Sequence, residues 1–271
     1  MEMEMEMEME DETEIELEWS TEFLYSDYSM YTNGAPSLII LNYILPRKDI
    51  LDRLWFKAKF KLCADGGTNR LYNYFKNNPA EREKYIPDYI CGDLDSVKPE
   101  ILDYYISRGS QKKLLYDQDH TDFQKTLMFL RSLEEEESFV KNDVYVLGAL
   151  NGRFDHTISN VSSLYKVPKE KHVYLIANES VVFLLNRGNH KIYCFPKYEG
   201  PTCGLLPIGV TEANVMTLGL KWNLDGSFPL SFKTIVSSSN AFEHPEQEIN
   251  EVIVNTDQPL YWSVECDLNE Q

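Results

Sequence analysis

SLIILNYILPRKDILDRLWFKAKFKLCADGGTNR, residues 37–70, decides the architecture. Its first seven residues form an apolar run of strand length. Residues 47–57 then set Ile50 against Leu54 and Leu51 against Trp55 at i, i+4, the spacing of one helix face. FKLCA (60–64) reads as a second strand, and Gly66-Gly67 lead into a second helix from Thr68. The alternation continues downstream. DYICG (88–92) is a short strand, Pro99 opens a helix that Gly109 closes, and KKLLY (112–116) is a strand. A long helix spans 121–136, with Thr121 and Gln124 spaced as a capping box. DVYVLG (143–148) is a strand and 155–165 a helix. Repeated β-α units predict a largely parallel α/β sheet.

After about residue 172 the pattern changes. HVYLIA, SVVFLL, HKIYCF, NVMTLGLKW, SFKTIVS and EVIVNT read as short strands parted by Gly, Pro, Asn and Asp, with no helical period. This predicts an all-β sandwich. The expected division is therefore a tail and arm over 1–36, an α/β domain over 37–171 and a β-sandwich domain over 172–271.

The 271 residues carry 44 acids against 26 bases, a formal charge of −18. Residues 1–18 hold ten of the acids and no base; without them the balance is 34 against 26. The Met/Glu alternation of 1–10 has a strand-like period, but dense like charge opposes a packed strand, so residues 1–18 are expected to be a solvated, dispensable tail. The aromatic stretch 19–36, with Trp19, Phe23, Tyr25, Tyr28 and Tyr31, is expected to lie over the first domain. So acidic a surface argues against nucleic acid and anionic lipid as partners. The longest apolar run, SLIILNYIL (37–45), is too short to span a bilayer. The N-terminus has no basic start or apolar core of a secretory signal. Cys63, Cys91, Cys194, Cys203 and Cys266 lack CxxC spacing and read as reduced core thiols of a cytoplasmic protein.

Four segments carry candidate chemistry. In GDLDS (92–96), Asp93 and Asp95 sit just past a strand, at the end where ligand sites of open α/β sheets lie. Two carboxylates there suit one hard cation such as magnesium; the bland alternative is a polar turn. In DQDHTDF (117–123), Asp122 begins a helix. Complementing the helix dipole is reason enough for it, but a third carboxylate at the same sheet edge would complete a metal–phosphate clamp. CADGGTNR (63–70) offers paired glycines and a helix start to an anion, or is a plain strand-to-helix turn. No GK[ST] exists in the chain, which excludes an ordinary P-loop kinase. In GALNGRFDH (148–156), Arg153 has the fork for phosphate, and Asp155 is placed to cap the helix, orient Arg153 or contact substrate. His156 sits in no ligand pattern and is given no role. Within the β region, Trp222 in GLKWNLDG and the polar run VSSSN (236–240) read as core and turn when taken singly.

Taken in order, CADGGTNRLY, GDLDS, DQDHTDF, LGALNGRFDH, CGLLPIG, GLKWNL, VSSSN and DQPLYW resemble the blocks of the thiamin pyrophosphokinase (thiamin diphosphokinase) family. The resemblance runs from about 37 to 265. It implies a nucleotide-binding α/β domain followed by a β-sandwich, and a homodimer with its sites at the subunit interface. It implies transfer of the pyrophosphoryl group of ATP to the hydroxyl of thiamin, with magnesium as cofactor. It implies that Asp93, Asp95 and Asp122 hold the metal and, with Arg153, serve catalysis. Asp65, Gly66, Gly67, Gln118, Arg153 and Asp155 would line the nucleotide and phosphate region, and Trp222, Ser237 and Asn240 would contact thiamin. Two other readings stand beside it: a metal-dependent nucleotide-sugar transferase, and a non-catalytic nucleotide or thiamin sensor on the same fold.

Overall fold

The computed structural model describes residues 17–26, 34–136 and 142–268. β1 (Leu17–Ser20) leads through a single 3-10 turn (Glu22–Leu24) towards β2 (Ser37–Ile40). The chain then alternates: α1 (Lys48–Lys57), β3 (Phe60–Ala64), α2 (Gly67–Tyr74), α3 (Pro79–Arg82), β4 (Tyr89–Gly92), α4 (Pro99–Ile106), β5 (Gln111–Leu114), α5 (Asp122–Glu136), β6 (Val144–Leu147) and α6 (Phe154–Ser163). Strands follow: β7 (Val173–Ile176), β8 (Ser180–Leu185), β9 (Gly188–Cys194), β10 (Glu199–Leu206), β11 (Val215–Leu218), β12 (Ser237–Ala241), β13 (Asn250–Thr256) and β14 (Leu260–Cys266).

The alternation becomes a parallel run in the order β7-β6-β2-β3-β4-β5. Helices cover both faces, so its inner strands are apolar throughout rather than alternating. Leu38, Ile40, Cys63, Tyr145 and Leu147 pack to one side, and Ile39, Leu62, Ala64, Val144 and Val146 to the other. The edge strand β5 is fully exposed and carries Lys112 and Lys113, charges that discourage edge-to-edge pairing.

The expected break at 171/172 does not coincide with a break between sheets. HVYLIA supplies β7, which pairs in parallel with β6, Val144 opposite Val173. The same sheet then continues antiparallel through β8, β14, β10 and β12 to ten strands. An apolar run does not announce its partner, so the last parallel strand was indistinguishable from the first sandwich strand. The second sheet is β1-β9-β13-β11. Two strand expectations shorten. NVMTLGLKW stops at Leu218, where Gly219 takes φ +84° and a Cβ would meet the Glu251 carbonyl oxygen at 2.0 Å. SFKTIVS is not a strand before Ser237, and Phe232 and Ile235 lie exposed.

The arm is also more than a cover for the first domain. β1 pairs in parallel with β9, so the tail expected over 1–18 ends at least two residues early; residues 1–16, with Tyr28 and Tyr31, lie outside the described residues. Trp19 is buried between His172 (ring centroids 4.1 Å apart) and Phe183 (4.6 Å), and its Nε1–H donates to His190 Nδ1 at 3.1 Å. Phe23 stacks on Tyr145 of the parallel sheet at 3.9 Å. All five cysteines are buried free thiols.

Candidate active site

All six parallel strands point the same way, so the loops after β6, β2, β3, β4 and β5 share one edge of the sheet. They enclose a cleft of about 590 Å³. Asp65 follows β3, Asp93 and Asp95 follow β4, and Asp122 opens α5 after β5. One carboxylate oxygen from each of Asp65, Asp93 and Asp95 lies within 4.8 Å of the others. Gly92 makes this convergence possible. Its φ is +131°, and a Cβ there would stand 3.0 Å from Asp122 Oδ1 and 3.2 Å from Asp65 Cβ.

Asp65 itself takes φ +40° and Leu94, between the other two acids, φ +65°. These left-handed positions aim the carboxylates inward. The Ser96 N–H donates to Asp65 Oδ1 (3.2 Å), and the Ser96 hydroxyl to Asp95 Oδ1 (2.9 Å). Burial lifts the Asp65 carboxyl above its ordinary range; hydrogen bonds from Ser96 and Gly66 oppose the lift, and the charge of Asp122 adds to it. Three oxygen-only ligands converging on one point suit a hard divalent cation.

The expected metal set was Asp93, Asp95 and Asp122. The structure gathers Asp65 into the cluster and gives Asp122 a different partner. Lys125, one turn along α5, stands 2.7 Å from Asp122 Oδ1 and 3.5 Å from Asp93 Oδ2, with only 5% of its side chain exposed. Burial alone would lower its ammonium, but the bonds and charges of Asp122 and Asp93 prevail and hold it above the ordinary lysine value. The i, i+3 spacing of Asp122 and Lys125 is the sequence signal of this pair.

Gly66 and Gly67 serve packing rather than backbone freedom. Gly66 is helical (φ −59°), and the left-handed turn falls on Asp65 instead. A Cβ on Gly67 would meet the Ile40 carbonyl oxygen at 2.2 Å, and one on Gly66 the Asn42 amide at 2.4 Å. Arg153 lines the cleft at the start of α6. Its fork is held by Asp155, at 3.1 and 2.6 Å, on an exposed surface. Gln118 is exposed and does not line the cleft. Asn42, Tyr43, Arg70 and Asn151 do line it, and His156 joins them.

Trp222, Ser237 and Asn240 come together with one another but not with the acids. Asn240 Oδ1 accepts from the Trp222 N–H (3.2 Å), and its Nδ2 donates to the Trp222 carbonyl (2.8 Å) and to Ser237 Oγ (3.4 Å). Asn240 thus holds the loop that presents Trp222, a residue 55% exposed, with Lys221 Nζ over its ring at 4.8 Å from the centroid. None of the three lines the cleft of the same chain.

Comparison with known proteins fixes the family. Thiamine pyrophosphokinase 3 of Oryza sativa subsp. japonica is 38% identical over 85% of this chain and 87% of its own. This chain belongs to the thiamin pyrophosphokinase family. Thiamine pyrophosphokinase 1 of Arabidopsis thaliana is 36% identical over 90% of this chain and 91% of its own. The family's catalytic domain model matches residues 51–176, through the end of β7, and its vitamin B1 binding domain model matches 189–261. The solved thiamin pyrophosphokinase from Candida albicans superposes with a TM-score of 0.79 at 28% identity, covering 93% of each chain. The α/β-plus-β-sandwich class is thus that of the family. Among the described residues, no helix is long and apolar enough to cross a membrane.

Proposed function

We propose that this chain transfers the pyrophosphoryl group of ATP to the hydroxyl of thiamin, giving thiamin diphosphate and AMP. The observation that carries the reading is the convergence of Asp65, Asp93 and Asp95 over the cleft, in a chain that matches both thiamin pyrophosphokinase domain models. The nucleotide-sugar transferase and sensor readings find no support among the relatives.

Asp65, Asp93 and Asp95 would hold a magnesium ion, which when bound supplies positive charge to the phosphate oxygens. The hydroxyl oxygen of thiamin attacks the β-phosphorus, and the bond from that phosphorus to the α-phosphate oxygen breaks as AMP leaves. The hydroxyl proton passes to a cleft carboxylate. Phosphoryl transfer of this kind rests on positioning and charge stabilisation. Arg153, oriented by Asp155, adds a forked donor at the β6 side of the cleft. The chain functions in this reading as a homodimer, with Trp222 presented to the cleft of the partner. The exposed Trp222, Met216, Leu218 and Phe228 of the β region support this, as does the absence of Trp222 from the lining of the acid cleft of its own chain. An aromatic face suits the cationic thiazolium of thiamin.

The test is direct. Purified chain incubated with ATP, magnesium and thiamin should form thiamin diphosphate and AMP in equal amounts. Release of ADP, or no thiamin product, would overturn the reading.

A further inference from the structure

Arg70 and Arg153 line the cleft, Lys125 stands behind its acids, and two of these three bases are already committed. Lys125 spans Asp122 and Asp93, and Arg153 is forked by Asp155. Arg70 differs. Its Nε–H donates to the neutral amide oxygen of Asn42 at 2.9 Å, and among the described residues no carboxylate pairs with it. In a chain of charge −18 this is unusual for an arginine in an acid-lined cleft. A neutral partner fixes the guanidinium without consuming its charge, and leaves its two Nη groups for an anion.

The position of Arg70 says which part of an anion it meets. It stands in the first turns of α2, and Asn42 follows β2. β2 lies between β6, which leads to Arg153, and β3, which leads to Asp65. Arg70 therefore reaches back over β2, about one strand spacing of ~4.8 Å from the loops of the carboxylate cluster. A polyphosphate whose transferred end lies at the cation site runs its next phosphate into this position.

We propose that Arg70 binds the α-phosphate of the nucleotide and stabilises AMP as it leaves, with Asn42 as its positioning residue. This rests on the pyrophosphokinase reading. As the thiamin oxygen bonds to the β-phosphorus, the bridging bond breaks and its electron pair remains on the α-phosphate oxygen. Charge grows there, on AMP, and not on the transferred group. A forked cation at that oxygen strengthens its bonds in the transition state.

The two products separate the possibilities, because AMP keeps the α-phosphate and thiamin diphosphate does not. Calorimetric titration of the full chain with each product, in magnesium, is the measurement. Arg70→Ala should weaken AMP by about tenfold or more and thiamin diphosphate by less than about twofold, with an unchanged melting temperature. Asn42→Ala should give a smaller loss in the same direction. Arg70→Lys keeps charge but not the fork and should recover only part of the AMP affinity; it carries the test if the alanine variant folds poorly. Unchanged AMP binding in Arg70→Ala, or equal loss of both products, would overturn the proposal. Wild-type chain that makes neither product would instead remove the functional reading on which it rests.

Discussion

Asp65 adopts a left-handed backbone that costs a non-glycine residue about 1 kcal/mol or more. It persists because its surroundings over-determine it. Its N–H donates to the Cys91 carbonyl (2.8 Å), its carboxylate accepts from Ser96, and Gly66 and Gly67 behind it pack where no Cβ fits. The strain at Asp65 and Leu94 brackets the carboxylates, which are the residues the proposed chemistry needs. Asp65→Asn and Asp95→Asn keep shape and remove one charge each from a self-repelling cluster. Both should lower turnover by about a hundredfold or more, with melting temperature unchanged or raised. Near-normal turnover of Asp65→Asn in saturating magnesium, beside a dead Asp95→Asn, would return Asp65 to a purely structural role.

At the scale of elements, the arm and β10 meet at a buried carboxyl. Glu199 accepts from the Thr21 hydroxyl in a short hydrogen bond and from the Phe195 N–H (2.6 Å). Tyr25, Cys194, Cys203 and Cys266 surround it, and burial pushes it up to about 7 despite those bonds. A carboxyl raised on folding holds its proton in the folded chain while the unfolded chain has lost it. Stability from this group is therefore lost as pH rises from about 4.5 to about 7, by about 3 kcal/mol in all. His172, lowered to about 4 chiefly by burial, acts in the opposite sense, losing stability as pH falls below 6.5. The two mask each other in the wild-type profile. Glu199→Gln isolates the first. Relative to wild type it should gain stability steadily between pH 4.5 and 7, read by urea denaturation across that range. A difference independent of pH would show that Glu199 is ionised throughout.

At the scale of the whole molecule, the acid cluster and Trp222 sit on different parts of one chain. In the homodimer reading, each complete site draws its carboxylates from one protomer and Trp222 from its partner. Asp95→Asn and Trp222→Ala chains should each be nearly inactive. Refolded together, they should form heterodimers with one doubly damaged site and one intact site, and part of the activity should return. Proven heterodimers without activity would mean that each site is built within a single chain.

The sequence by itself determined the β-α alternation, the sandwich-like second half and the family. Each depends on local periodicity or on short blocks in fixed order, and local patterns survive without knowledge of partners. It also marked the strand-end aspartates, because GDLDS and DQDHTDF end at turns that any parallel sheet places on one edge. Only the tertiary structure decided that β7 closes the parallel run, since an apolar strand is the same string in either sheet. Only it sorted the cleft residues: Asp65 joined to the acids, Asp122 tied to Lys125, Arg153 forked by Asp155, Arg70 held by an amide. Charge in a sequence is a property of single residues. Which charges are neutralised and which remain for a ligand depends on distances across loops from five strands, and those distances exist only once the sheet has formed.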